Sequence, residues 1–370
     1  MSSSGSTISF WTDYFKNQRD VLMILGIGFD PRTTEATKQI LSCGGTGKRS
    51  IVGLRYFGSE DEEKSTNTSE PIAKHIAEIE EFINIKKFDK LKFKSIILRS
   101  SEEINISSIN ATKLFNKIEE LDSYSDVIVD ISAMPRGIFI PLINKLLNLI
   151  DTRNAGESPL INLHVVVTEN PILDSKIEDQ GTAEEATYIH GFKVNETTVT
   201  QDHKKVWIPI LGETQTSQFE LIRKSIDPVE TCPVLPFPSK KLRRGDELIN
   251  EYRDLLFNDS DFEPKNIVYG DEDNPFQVYR LLDKTIRRYD KSFKLLNGCK
   301  IIVSALSSKL LSLGAFMAVY EAKKNGKNVG MKQVESLGHK IQELTISDLS
   351  EILKENNLIH LWLAGEPYIA

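Results

Sequence analysis

The stretch DVIVDISAMPRGIFIPLINKLLNLI, residues 126–150, decides the fold. It opens with a short β-branched run between Asp126 and Asp130, passes through a small-polar turn and continues as a long apolar segment. Strands of a parallel sheet are covered on both faces and read as continuous hydrophobic runs, so this is a strand-turn-helix step of an α/β fold. Pro135 suits a first helical turn, where its missing N–H leaves no bond unmade. The step predicts a strand over 126–131, a turn over 132–136 and a helix over 137–150.

The same alternation extends in both directions. Toward the N-terminus it predicts strands over 21–29, 50–57 and 94–99, with helices over 33–41, 72–85 and 107–121. Ile72, Ile76, Ile79 and Ile83 mark the apolar face of the second helix. The acidic, Ser/Thr-rich stretch 59–69 reads as an exposed loop, and a strand over 161–168 ends the first half. Residues 169–204 break the rhythm and read as a connector or hairpin. The second half restarts with a strand over 206–211 and a helix over 215–225, followed by an extended segment over 229–238. Then come a helix over 246–257, a strand over 266–269 and a helix over 275–289. Residues 301–325 repeat the step of 126–150, and strands over 329–334 and 359–364 flank a helix over 347–356. The expected class is α/β: two tandem Rossmann-like three-layer halves with mostly parallel sheets, either an internal duplication or a chance tandem. The expected domains are 1–168, a connector 169–204, and 205–370.

Bulk properties bound the function. A chain of 370 residues exceeds the size at which one core stops growing, and 40% hydrophobic with 27% charged residues is an ordinary folded composition. The net charge of −7 argues against a dedicated duplex-DNA binder, although Lys240, Lys241, Arg243 and Arg244 form a local basic run, as do Arg287 and Arg288. Three cysteines without a CxxC pair, and six scattered histidines, fit a reducing compartment and point to no metal site. No cofactor is evident. The N-terminal residues lack a signal-peptide pattern and no apolar run is long enough for a bilayer, so a cytoplasmic protein without a membrane partner is expected.

Ligands of open α/β sheets bind beyond the carboxyl ends of the strands, where helix N-termini expose unpaired N–H groups and favour anions. Three loops there carry candidates. In the first, Gly26 and Gly28 permit close backbone approach, Asp30 caps a helix or serves as an acid/base, and Arg32 is placed for a phosphate or carboxylate. Position 31 is proline, so this is not a dinucleotide fingerprint. In the second, Asp130, Ser132, Arg136 and Gly137 converge at a strand end; its counterpart holds Ser307, Ser308 and Lys309. The glycine-rich 44–50 segment lacks the first glycine and the final Lys-Ser/Thr pair of a phosphate loop, and reads as a turn. Glu366, after the last strand, is a further acid/base candidate or a surface turn.

The loops Asp130 to Gly137 and Ser304 to Lys309, with Gly26 to Arg32, resemble the ligand loops of CARF domains. Two such halves in one chain resemble the SAVED family and tandem-CARF effectors. The resemblance implies a protein that binds cyclic oligoadenylate in prokaryotic antiviral defence: a stand-alone sensor, a ring nuclease, or a subunit of a multi-protein system with partner proteins. Neither loop has the Gly-Gly-Thr-Lys-like run of many CARF domains. Three readings follow. In the first, a sensor holds a nucleotide-type anion with Gly28, Arg32, Arg136 and Lys309, aided by Ser132, Ser307 and Ser308. In the second, an enzyme acts on a nucleotide or small phosphorylated substrate through Asp30, Asp130 or Glu366. In the third, the protein is an interaction subunit whose loops merely cap helices.

Overall fold

The computed structural model describes residues 2–4, 7–65, 68–156, 159–196, 204–258 and 261–368; parts of the expected 59–69 loop and 169–204 connector lie outside them. The chain divides into two compact units, the first comprising Met1–Glu178 and His339–Ala370, the second Asp179–Gly338.

Unit 1 is built on β1 (Ser2–Ser4), β2 (Val21–Ile27), β3 (Arg49–Phe57), β4 (Lys90–Ile97), β5 (Asp126–Asp130), β6 (Asn162–Glu169) and β16 (Asn357–Ala364). Their order is β1-β16-β6-β5-β2-β3-β4, and β2 to β6 are mutually parallel. β2 and β5 are buried along their whole length, as their unbroken apolar runs require. Val21, Met23, Leu25 and Ile27 of β2 share one core with Ile40 and Leu41 of helix Glu35–Leu41 and with Ile79 and Ile83 of helix Glu70–Lys86. The alternate residues Leu22, Ile24 and Gly26 face the other layer. That layer contains helix Ser107–Thr112 packed on helix Arg136–Asn154. The expected 107–121 helix is shorter than predicted, because the chain turns after Lys113 and resumes as a 3-10 turn over Ile118–Glu120.

A short ribbon of β7 (Ile177–Asp179) and β15 (His339–Ile341) marks where the chain leaves unit 1 and returns to it. Unit 2 contains β8 (Thr187–Tyr188), β9 (Lys204–Ile210), β10 (Glu230–Thr231), β11 (Val234–Pro236), β12 (Val268–Gly270), β13 (Cys299–Ala305) and β14 (Val329–Gln333). The order is β12-β11-β9-β13-β14-β8, with β10 also on β9. One core joins Trp207, Phe219, Ile222, Leu248, Tyr252 and Ile302. Helices Pro275–Ser292 and Lys309–Lys324 pack together. At Gly314 a Cβ would stand 2.7 Å from the Pro275 carbonyl, so the glycine sets their approach. The expected 246–257 helix is broken at Tyr252, whose hydroxyl donates to the Gly212 carbonyl at 2.8 Å.

Both sheets have the Rossmann order, third-second-first-fourth-fifth, with an antiparallel strand beside the fifth. The expected boundary at 205–370 is corrected by the origin of that extra strand. The 359–364 run does not complete the second half: β16 lies antiparallel on β6, with Leu358 opposite Thr168 and Trp362 opposite His164. Conversely β8, from the expected connector, lies antiparallel on β14. Each sheet takes its edge strand from the chain that follows the other's fifth strand. The reason is the burial of β6, whose Leu163 and Val165 to Val167 would otherwise form an open apolar edge. A chain ending at residue 345 is expected to lose unit 1's closing strand and partition into the insoluble fraction on expression. Full solubility with an unchanged melting point would contradict the role given to β16.

The amino ends of these strands hold a buried polar chain that the sequence did not reveal. Asp126 accepts from the Tyr14 hydroxyl at 2.6 Å, from Ser125 Oγ at 2.6 Å and from His164 Nε2 at 3.2 Å. His164 Nδ1 then lies 2.9 Å from His360 Nε2. Burial alone would raise Asp126, yet hydrogen bonds from His164, Ser125 and Tyr14 hold it below its ordinary value. Burial pushes His164 down, and burial with the neighbouring His164 pushes His360 down to about 2. Both rings are therefore neutral when folded, whereas unfolded histidines protonate near pH ~6.5. Their stabilisation is complete above that pH and is lost as pH falls below it, each group contributing a slope of at most about 1.4 kcal/mol per unit. His360→Leu should flatten the decline of melting temperature between pH 6.5 and 4.5; parallel profiles for parent and variant would contradict the assignment.

Candidate functional site

In each sheet the strand order reverses between the first and fourth parallel strands, and the carboxyl ends of that pair are where open α/β sheets bind ligands. In unit 1 these are β2 and β5, paired with Leu25 opposite Asp130. The loops leaving them face each other across Gly28 and Ala133. A Cβ built on Gly28 would meet only the Ala133 carbonyl, at an ordinary 3.8 Å, so packing does not demand a glycine there. Gly26 differs: a Cβ would lie 2.2 Å from the Tyr56 hydroxyl and 2.9 Å from Met134 Cγ. His75, buried on helix Glu70–Lys86, places Nδ1 2.8 Å from the Gly28 carbonyl and supports this backbone from below. No sequence signal links His75 to Gly28, because the contact spans 47 positions.

Helix Arg136–Asn154 starts at this crevice. Pro135 occupies its N-cap with no side-chain cap, and Arg136 is its first, half-buried residue. An N-terminus of this kind presents backbone N–H groups and partial positive charge.

The other candidates of unit 1 turn inward. Arg32 was expected to meet a phosphate, but it is 2% exposed. Its Nε and Nη2 donate to both oxygens of Asp30 at 3.0 and 2.7 Å, Nη2 also to Asp174 at 2.8 Å, and Nη1 to the Thr168 carbonyl at 3.3 Å. Burial alone would lower the guanidinium, but Asp30 and Asp174 raise it above its ordinary value, so the pair is locked as ions. Asp30 also accepts from the Arg32 N–H at 2.9 Å, and its role is to shape the turn. Ser132, expected as a ligand donor, gives its hydroxyl to Asp130 Oδ1 at 2.5 Å and accepts from the Thr168 N–H at 2.9 Å. It ties the ends of β5 and β6 and is fully buried. Asp130, 1% exposed, also accepts from the Ser132 N–H at 3.0 Å. Glu366 lies far from these loops, at the amino ends of the strands. There it accepts from Arg19 Nη1 and Nη2 at 2.5 and 3.1 Å and from Asn162 at 3.3 Å. The three carboxylates proposed as acid/base groups are thus not brought together.

Unit 2 seals the equivalent crevice between β9 and β13. A Cβ on buried Gly212 would stand 2.0 Å from the Leu306 carbonyl, so the two loops touch. Helix Lys309–Lys324 is capped from within: Ser308 Oγ accepts from the Leu311 N–H at 3.3 Å. Ser307 and Lys309 are half-buried beside it. Of the basic run 240–244, Arg244 is drawn into ion pairs with Glu213, at 2.8 Å, and Glu272. Lys240 and Lys241 pair with Asp273, at 3.5 Å, and with Glu247 at the surface.

Among the described residues no group of three or more His, Cys, Asp or Glu side chains is arranged to hold a metal ion, and no helix is long and apolar enough to cross a membrane. No family model and no curated protein matches the sequence. Similar solved structures include a universal stress protein from Pseudomonas aeruginosa, at 7% identity and a TM-score of 0.22, covering 86% of this chain and 94% of that one. Another is a universal stress protein from Archaeoglobus fulgidus, at 8% identity and a TM-score of 0.22, covering 84% of this chain and 94% of that one. At such scores these likenesses add nothing to what the sheet order itself shows.

The two glycines give a paired test. Gly26→Ala should cost about 1–3 kcal/mol by overpacking against Tyr56 and Met134. Gly28→Ala should be neutral, or stabilising by up to about 1 kcal/mol through the unfolded chain. Urea unfolding of both variants checks the order; equal destabilisation would mean that the Gly28 loop is packed shut.

Proposed function

We propose that this protein is a sensor or regulatory subunit that binds a nucleotide-type anion in the unit 1 crevice between β2 and β5. The observation that carries the reading is the start of helix Arg136–Asn154: it has no side-chain cap and lies beside Gly28, where a Cβ would make only an ordinary contact with the Ala133 carbonyl. A phosphate seated there would accept from the first helical N–H groups and from the Arg136 guanidinium. Binding is favoured over catalysis because Asp30 and Asp130 are committed to Arg32 and Ser132, and Glu366 stands at the opposite end of the sheet. The sealed, self-capped crevice of unit 2 supports one such site per chain. The resemblance to CARF and SAVED sensors supplies the ligand class to try first, a cyclic oligoadenylate, and with it a role in a defence complex.

The test is a thermal-shift and calorimetric screen against mononucleotides, cyclic oligoadenylates, dinucleotide cofactors and sugar phosphates. A ligand is expected to bind at a 1:1 ratio and raise the melting temperature by mass action. Arg136→Ala should fold normally and bind about 10- to 100-fold more weakly, the loss of one charge-assisted contact. Absence of any anion-dependent shift, or equal affinity in the variant, would sink the reading.

A further inference from the structure

Tyr56 lies at the end of β3, on the sheet face that Gly26 shares. Its ring crosses the end of β2: a Cβ on Gly26 would lie 2.2 Å from the hydroxyl and 3.2 Å from Cζ, with Met134 Cγ also close at 2.9 Å. The phenol therefore points across the switch point toward the loop that leads into helix Arg136–Asn154. Its hydroxyl oxygen is buried and has no hydrogen-bond partner among the described residues. A buried hydroxyl without a partner costs the folded state its hydration and returns nothing. Phenylalanine would fill the same space without that cost. Moreover, glycine at position 26 is what leaves room for the oxygen, so residues of two strands are shaped around a group that packing does not use.

We propose that Tyr56 is a ligand-contact residue of the unit 1 crevice, donating its hydroxyl to an anionic phosphate oxygen held at the start of helix Arg136–Asn154. The inference rests on the binding reading above and adds to it the group that completes the cradle. Two independent features converge there, an N-terminus without a side-chain cap and an unsatisfied donor beside it. Burial, and after it the charge of Asp130, holds the phenol above its ordinary value, so it remains a donor at neutral pH. A donor of this kind suits a phosphate oxygen, an acceptor in every charge state, whereas an ammonium or guanidinium group offers it no acceptor. When the phosphate leaves, the hydroxyl is again without a partner, so occupancy relieves a cost built into the unliganded site.

The experiment uses the full chain and inorganic phosphate as the probe, at constant ionic strength with chloride as the control. Phosphate should raise the parent's melting temperature, and Tyr56→Phe should weaken its apparent affinity by about tenfold. Without phosphate, Tyr56→Phe should melt at or above the parent temperature, since the lost hydroxyl made no bond. This combination, equal or greater stability with weaker binding, is not produced by a merely structural tyrosine. A lower melting point for unliganded Tyr56→Phe would show that the hydroxyl already has a partner, and would overturn the proposal. If phosphate binds the parent and Tyr56→Phe equally but Arg136→Ala weakly, the Tyr56 assignment falls and the binding site stands. If phosphate does not bind the parent, the phosphate assignment falls; if the nucleotide screen is also empty, the site reading falls with it.

Discussion

The parallel pairing of β2 with β5 is the constraint on which the rest of unit 1 depends. These two strands are far apart in sequence and buried throughout, and their register sets Leu25 against Asp130. From β2 the sheet grows outward through β3 and β4; from β5 it grows the other way through β6. Right-handed crossovers running in opposite directions must lie on opposite faces. The helices that follow β2 and β5 therefore part at this point, and the loops leading into them are left facing each other. The crevice at Gly28 and Ala133 is a consequence of that divergence, and so is the position of the Arg136 helix terminus.

The second constraint acts at the far side of each parallel sheet. β6 and β14 are the last parallel strands of their sheets, and neither takes its outer neighbour from the chain that immediately follows it. β16 covers β6 and β8 covers β14. The result is that unit 2's sheet is completed within one contiguous stretch, because β8 precedes its parallel strands, whereas unit 1's sheet needs a strand from beyond unit 2. Closure of unit 1 waits on residues 357–364, a pairing with high sequence separation whose loop-closure entropy must be overcome late.

Polar groups at the carboxyl ends divide into two kinds. Asp30 with Arg32, and Asp130 with Ser132, satisfy one another within their loops and hold the strand ends in shape. Their partners are two residues away, so the turns themselves create the contacts. Arg136 starts a helix there, and Tyr56, whose hydroxyl has no hydrogen-bond partner among the described residues, lies across the switch point. The same fold in unit 2 shows what closure looks like: Gly212 against Leu306, and Ser308 capping its own helix. A shared strand order thus supports two different crevices, because the loops rather than the sheet decide whether space remains.

Much of the fold was legible from local pattern. The runs 21–27 and 126–130 are apolar because both faces are covered, and helix 72–85 shows its buried stripe at helical spacing, so period and length alone identified them. The loops to inspect were legible for the same reason, since strand ends follow from strands. The direction of each side chain was not. Arg32 and Arg136 look alike as arginines beside a proline, yet one is closed on Asp30 and Asp174 while the other opens a helix at the crevice. Nor could local pattern show that Tyr56 lies over Gly26, that His75 holds the Gly28 carbonyl, or that the 359–364 strand belongs to the first sheet. The sequence by itself determined where most strands and helices lie, because periodicity and turn chemistry act between near neighbours. The tertiary structure alone decided strand order, the exchange of edge strands and which polar groups turn inward, because those depend on contacts between residues tens to hundreds of positions apart.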